Sequence, residues 1–191
     1  IFTCFNEQKK ITSNEFDIWM RLLNKKKDSV LWLKGLNRLG MKNLMKEAEK
    51  RNVDKSRLVF TNFLPLDQHL ARHSLASLGL DTFTFNGCTT SAFGLWAGMP
   101  ILTTIGESFA ARFTASLLNS MGIPELITYS QDEYEEVALR LANKPDELLE
   151  LKYKIKQARD TSTLFNSKLF TNQIEEVYKE LINQHLSEKF I

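Results

Sequence analysis

At 191 residues, with 43% apolar, 10% aromatic and 25% charged side chains, the chain can build one sizeable core, either as a single domain or as one lobe of a larger enzyme. Its net charge of +2 argues against nucleic acid or a membrane surface as partner, and no run approaches the roughly 18 apolar residues of a membrane span. No signal peptide is visible, and two distant cysteines, Cys4 and Cys88, offer neither a metal-ligand spacing nor a disulfide framework, which fits a reduced, cytoplasmic compartment.

Strand-like and helix-like segments alternate throughout. Ile1–Asn6 reads as a strand; starting there, without an initiator Met, leads to the expectation of a piece of a longer protein. Ser13–Leu23 reads as a helix, with Phe16, Trp19, Met20 and Leu23 at i, i+3, i+4 and i+7. Lys25-Lys26-Lys27 then reads as a solvated helix end, where cations complement the dipole. Val30–Lys34 predicts a strand and Lys42–Arg51 a helix. Leu58–Phe60 is a strand, and Asp67–Ala76, entered after Pro65, a helix. Leu78–Phe83 leads to a helix over 89–97 that ends at Gly98, and Pro100 opens the strand Ile101–Thr104. Gly106-Glu107-Ser108 introduces a helix over 108–120 with Ser108 as its N-cap. Leu126–Thr128 is a last short strand, followed by helices over 131–142, 146–159 and 168–187.

Short strands separated by helices of about ten residues predict an α/β fold: a doubly wound, mostly parallel sheet with helices on both faces. Ligands of such sheets bind beyond the carboxyl ends of the strands, near a switch in strand order. That places the loops Asn6–Lys10, Asn62–His69, Thr84–Thr90 and Thr104–Ser108 at the candidate site. The last helix is free to reach onto a neighbouring domain.

The stretch from Phe85 to Pro100 is the most informative. A polar turn, Asn86-Gly87-Cys88, precedes a helix opened by Thr89 and Thr90. A helix N-terminus offers unpaired N–H groups and a favourable dipole to an anion. Capping the helix uses the same atoms and is the commoner task of a threonine there, so chemistry alone leaves both readings open.

In order and spacing, a set of motifs across nearly the whole chain resembles the C-terminal catalytic lobe of the O-linked N-acetylglucosamine transferase family, including its bacterial SPINDLY-like members. These are Phe5-Asn6 with Lys10, Val30-Leu31-Trp32-Leu33, Arg57-Leu58-Val59-Phe60, His69 with Arg72, and Leu80-Asp81-Thr82. They continue with Asn86-Gly87-Cys88-Thr89-Thr90, Leu95-Trp96-Ala97-Gly98-Met99-Pro100, Gly106-Glu107-Ser108 with Ala111-Arg112, Phe165-Asn166 and Tyr178. The resemblance implies a GT-B architecture, in which two Rossmann-like lobes bind a sugar nucleotide between them, commonly behind tetratricopeptide repeats. Residues 1–191 would be one UDP-sugar-binding lobe, with 160–191 as a helical extension. The implied reaction transfers N-acetylglucosamine from UDP-GlcNAc, or another UDP-sugar, to Ser or Thr of a protein acceptor, inverting the anomeric carbon without a metal or cofactor.

The resemblance also assigns residues. Lys10 would contact the diphosphate and offset charge growing on UDP as the sugar bond breaks; chemistry alone does not separate it from Lys9. Thr89 and Thr90 would contact phosphate, each charge-assisted bond worth about 1.5–3 kcal/mol. His69 and Arg72, three residues apart on one helix face, would hold the uracil base, the histidine by stacking. Leu64 and Cys88 complete the donor-contacting positions, and His73 reads as incidental.

Four departures stand out. Cys88 replaces a histidine usual near the β-phosphate, Phe93 an aspartate that takes the ribose hydroxyls, and Leu66 a lysine that also reaches the ribose. Glu7 replaces a neutral amide and adds negative charge near the phosphates. Losing one charged ribose contact costs about 1.5–3 kcal/mol, so the phosphate grip reads as retained and the ribose grip as altered. No base stands beside Cys88 in sequence to activate its thiol. The acidic cluster Glu133, Glu135 and Glu136 reads as a solvated helix face. Two alternatives stay open: a non-catalytic binding module with a decayed donor site, and a transferase using a different sugar nucleotide.

Overall fold

Strands buried on both faces need apolar residues at nearly every position, and the first strand is of this kind, with Phe2, Thr3 and Cys4 all buried. The structure, a computed structural model, describes residues 1–35 and 37–189. Position 36 and the last two positions of the expected 160–191 extension lie outside the described residues. Six parallel strands form the sheet: β1 (Phe2–Cys4), β2 (Leu31–Lys34), β3 (Leu58–Thr61), β4 (Leu78–Leu80), β5 (Ile101–Thr104) and β6 (Ile127–Thr128). Their order is β3-β2-β1-β4-β5-β6, so the chain works outward from β1 to one edge and restarts beside β1 at β4. The switch in strand order therefore lies between β1 and β4.

The connecting helices are α1 (Ser13–Lys25), α2 (Arg38–Lys50), α3 (Leu66–Arg72), α4 (Thr89–Trp96), α5 (Phe113–Ser120), α6 (Gln131–Asn143), α7 (Pro145–Thr161) and α8 (Ser167–Lys189). They cover both faces of the sheet: α1 packs on α6, while α4 packs against α3, α5 and α7. The apolar stripe of α1 is fully used, with Phe16, Ile18, Trp19, Met20, Leu22 and Leu23 all buried. Trp19 Nε1 donates to the Tyr134 hydroxyl (3.3 Å), which donates to the Asp81 carbonyl (3.2 Å). This chain of bonds ties α1 and α6 to the end of β4. Glu135, expected on a solvated face, instead bridges α6 to α1 by binding Arg21 at 2.6 Å and Lys25 at 2.8 Å. Cations within reach on the neighbouring helix draw it out of solvent.

Several boundaries differ from the sequence reading, each for a local reason. The first strand stops at Cys4 and the fourth at Leu80, because Asn6, Asp81 and Thr82 turn their side chains into a hydrogen-bond network instead of continuing the ladder. The second helix begins at Arg38, four residues early, since Asn37 caps it by accepting from Leu39 N (2.9 Å) and Gly40 N (3.3 Å). Ser108 does cap, but it caps a 3-10 turn over Phe109–Ala111, and α5 starts only at Phe113. The helix after Pro65 ends at Arg72 and tightens into a 3-10 turn over His73–Leu75. Helix α4 stops where Gly98, at φ +82°, takes the left-handed conformation that glycine tolerates. Along α8, Phe170, Val177, Tyr178, Leu181, Ile182 and Leu186 are all exposed.

Candidate functional site

Loops from β1 and β4 diverge at the switch point and leave a crevice, and a buried carboxyl group organises it. Asp81, only 2% exposed, accepts hydrogen bonds from Asn6 Nδ2 (2.9 Å), Thr82 N (2.9 Å) and Gly87 N (2.8 Å) on one oxygen. Its other oxygen accepts from Thr103 Oγ1 at 2.9 Å. Burial holds its pKa above the usual carboxylate value, against the opposing pull of the surrounding donors. The loop after β4 is fastened from the other side as well: Asn86 N donates to the Ala110 carbonyl (2.9 Å), and Thr114 Oγ1 to the Gly87 carbonyl (2.9 Å). Gly87 fits closely here: a Cβ would lie 2.8 Å from Asn6 Oδ1 and closer still to Ser91 Oγ, so any larger residue would displace those side chains.

The fastened loop presents the start of α4. Cys88, and not Thr89, occupies the N-cap position, and its side chain makes no capping bond. Thr89 is the first helical residue, so the capping role open to it in sequence falls away. Among the described residues neither the Thr89 nor the Thr90 hydroxyl has a hydrogen-bond partner, and no side chain caps the helix end. Cys88 is exposed, a free thiol.

Lys10 ends the 3-10 turn over Gln8–Lys10 that follows β1. Its ammonium donates to the Asn86 carbonyl (2.9 Å) and lies 3.9 Å from the centre of the Phe85 ring. It therefore sits on the same side of the sheet as the start of α4. Burial lowers its pKa, opposed chiefly by the charge of Asp81. Lys9 is exposed. The charge of Glu7, expected to be unhelpful, is met by Lys34 at 2.5 Å, which holds that carboxyl below its usual range.

Beside the start of α4 opens a cleft of about 360 Å³, within the size class of small-molecule sites. Its apolar wall is Phe5, Phe63, Leu64, Leu66 and Phe93; the polar lining is Lys34, Asn62, His69, Arg72, Thr89 and Thr90. Of the residues singled out in sequence, Leu64, His69, Arg72, Thr89 and Thr90 thus share one cleft. Lys10 and Cys88 stand beside it at the 85–88 loop. Helix α3 is held from beneath. Arg72, 9% exposed, donates to Thr61 Oγ1 (3.0 Å) and the Asn62 carbonyl (3.2 Å), stacks over Phe5 at 4.5 Å, and contacts His69 Nδ1. Its donors are largely committed to the protein. His73, read as incidental, is buried and supports His69: its Nδ1 lies 2.7 Å from the His69 carbonyl, and the rings meet edge-on at 4.7 Å. Burial, then the Arg72 charge, depresses the His69 pKa to about 4, so its ring is neutral at pH 7.

Sequence reasoning gave no role to Asp81, Asn6 or Lys34. The signal for Asp81 was an acid directly following the apolar run of β4; the donors that bury it come from three other segments and carry no local pattern. Among the described residues no group of three or more His, Cys, Asp or Glu is set to hold a metal ion, and no helix is long and apolar enough to cross a membrane.

A parallel, doubly wound sheet with an uncapped helix N-terminus at its switch point is a Rossmann-like lobe with the geometry of an anion site. The family model described as Glycosyl transferase family 41 matches residues 1–174. The chain belongs to that family. It is 34% identical over 187 residues to a UDP-N-acetylglucosamine–peptide N-acetylglucosaminyltransferase of Caenorhabditis elegans, covering 98% of this chain and 16% of that protein. A probable SPINDLY transferase of Solanum lycopersicum is 29% identical, covering 94% of this chain and 20% of that protein. A solved lysine-to-methionine mutant of the Thermobaculum terrenum O-GlcNAc transferase superposes with a TM-score of 0.89 at 30% identity, covering 94% of this chain and 35% of that one. The chain therefore spans no more than about a fifth of the length of these curated relatives.

Proposed function

We propose that residues 1–191 form the UDP-sugar-binding lobe of a GT-B glycosyltransferase, with 160–191 as a helical extension. The whole protein would transfer N-acetylglucosamine from UDP-GlcNAc to protein Ser or Thr, with inversion and without a metal, in the cytoplasm. Because the chain spans 16–20% of its curated relatives, we assign the acceptor site and any general base to a facing N-terminal lobe, behind tetratricopeptide repeats. The names of those relatives support the donor and the acceptor. The observation that carries the reading is the uncapped start of α4, with two unpartnered threonine hydroxyls in the same cleft as His69.

Each group then has a chemical task. Thr89 and Thr90 donate to phosphate oxygens, beside the free N–H groups of the first helical turn. Lys10 places a fixed cation where negative charge accumulates as the bond from sugar to phosphate breaks, and it needs no reorganisation at that moment. His69, neutral at pH 7, offers a ring face to the base. Arg72 acts through His69 and the Asn62 backbone, orienting the stacking ring. Calorimetry of UDP against the wild type and a Thr89→Ala/Thr90→Ala variant tests the reading. Loss of two charge-assisted bonds, about 1.5–3 kcal/mol each, predicts at least about a hundredfold weaker Kd. Unchanged affinity would remove the phosphate site from the start of α4.

A further inference from the structure

We infer that this cleft does not read the sugar ring of its nucleotide, so that a 2′-deoxyribonucleoside diphosphate binds as tightly as the ribonucleoside diphosphate. The inference rests on the donor-site reading above and adds the class of nucleotide. With the base on His69 and the diphosphate at the start of α4, the ring between them must pass Phe93. That residue lies four positions after Thr89 and three after Thr90, on the same face of α4. Its ring centre stands 6.0 Å from that of His69, nearly perpendicular to it at 79°.

Nucleotide sites that recognise a ribose commonly do so with a carboxylate that accepts from the 2′-hydroxyl. No Asp or Glu lines this cleft among the described residues. Glu7 is held by Lys34 and borders a separate hollow with Gln8, Lys9 and Asn37, and Asp67 is exposed outside the cleft. Lys34 and Arg72 are committed to protein partners. What remains is His69, two threonines assigned to phosphate, and the Asn62 amide, none of them an anion. A hydroxyl turned towards Phe93 sheds water without gaining an acceptor, whereas a CH₂ in its place sheds none. Sites that hydrogen-bond a hydroxyl reject its deoxy analogue strongly; apolar walls discriminate weakly.

The test is calorimetry of UDP and dUDP on the full-length protein, which needs no variant. Dissociation constants within about threefold of each other support the inference; a preference for UDP of about tenfold, equivalent to about 1.4 kcal/mol, overturns it while leaving the donor site intact. Failure of both nucleotides to bind overturns the donor-site reading and this inference with it. Phe93→Asp, which places a carboxylate on the wall, should create a preference for UDP of about tenfold. Phe93→Leu, which keeps the wall apolar, should leave the ratio unchanged, and a UDP preference in that variant would count against the assignment of Phe93.

Discussion

Replacing Asp81 by alanine tests whether one buried carboxyl builds the corner where the β1 and β4 loops meet. Four donors lie 2.8–2.9 Å from its oxygens. Asn6 Nδ2 keeps a second acceptor, Thr82 Oγ1, at 2.8 Å. The N–H groups of Thr82 and Gly87 and the Thr103 hydroxyl have no such reserve. A buried donor left without an acceptor costs about 1–3 kcal/mol, so three sum to several kcal/mol. Removing a group that resists burial returns part of this, which leaves a net loss of about 3–4 kcal/mol against a typical stability of about 5–15 kcal/mol. Asp81→Asn retains one acceptor oxygen, and its NH₂ can donate to the Thr103 hydroxyl, so that variant should lose only about 1 kcal/mol. Urea titration of residues 1–191, read through the fluorescence of buried Trp19, measures both. UDP affinity should fall in step, because Gly87 and Asn86 lead into α4. An alanine variant within about 1 kcal/mol of wild type, or an asparagine variant as damaging as alanine, would refute the reasoning.

Two other outcomes follow from the geometry. Lys10→Ala in the full-length enzyme should lower kcat by about 10²–10³-fold, the range for loss of one fixed group at a developing anion, while Lys9→Ala stays near wild type; comparable losses in both would show a diffuse charge effect. The His69 pKa of about 4 lies below its ordinary value of 6.5, so between these values the unfolded chain binds more protons than the folded one. Stability should therefore be complete above about pH 6.5 and decline as pH falls towards 4. Burial lowers His73 in the same direction. Denaturation midpoints at about pH 7.5 and 5 check this: His69→Gln should flatten the difference, and an equally steep profile in that variant would assign it elsewhere.

The α/β alternation was legible because each strand is a short apolar run and each helix has an apolar stripe at its own period, as in Phe16, Trp19, Met20 and Leu23. The strand ends were less legible. Whether Asn6 or Asp81 extends a strand or leaves it depends on partners more than seventy positions apart in the chain, such as Asn6 and Asp81 themselves. The residues around the cleft were found through the resemblance, since chemistry alone did not separate Lys10 from Lys9; in space one is half-buried against Phe85 and the other points to solvent. Partnership is the other property that a linear reading misses. Glu7 and Glu135 read as free charges in sequence, and each is engaged by cations from other elements; Arg72, read as a contact to the base, spends donors on Thr61 and the Asn62 carbonyl. Cys88 at the cap position was a matter of one residue of helix phase.

The ammonium of Lys10, docked on the Asn86 carbonyl and over the Phe85 ring, has a thermodynamic consequence. A lysine waving in solvent surrenders about 2 kcal/mol of rotamer freedom when something immobilises it. Here that surrender happens as the chain folds, so an anion bound as proposed would meet a charge already at rest and be spared the cost of stilling it. The same mooring means that shortening or tilting the 85–88 segment would set the lysine adrift, weakening capture without altering the residue itself.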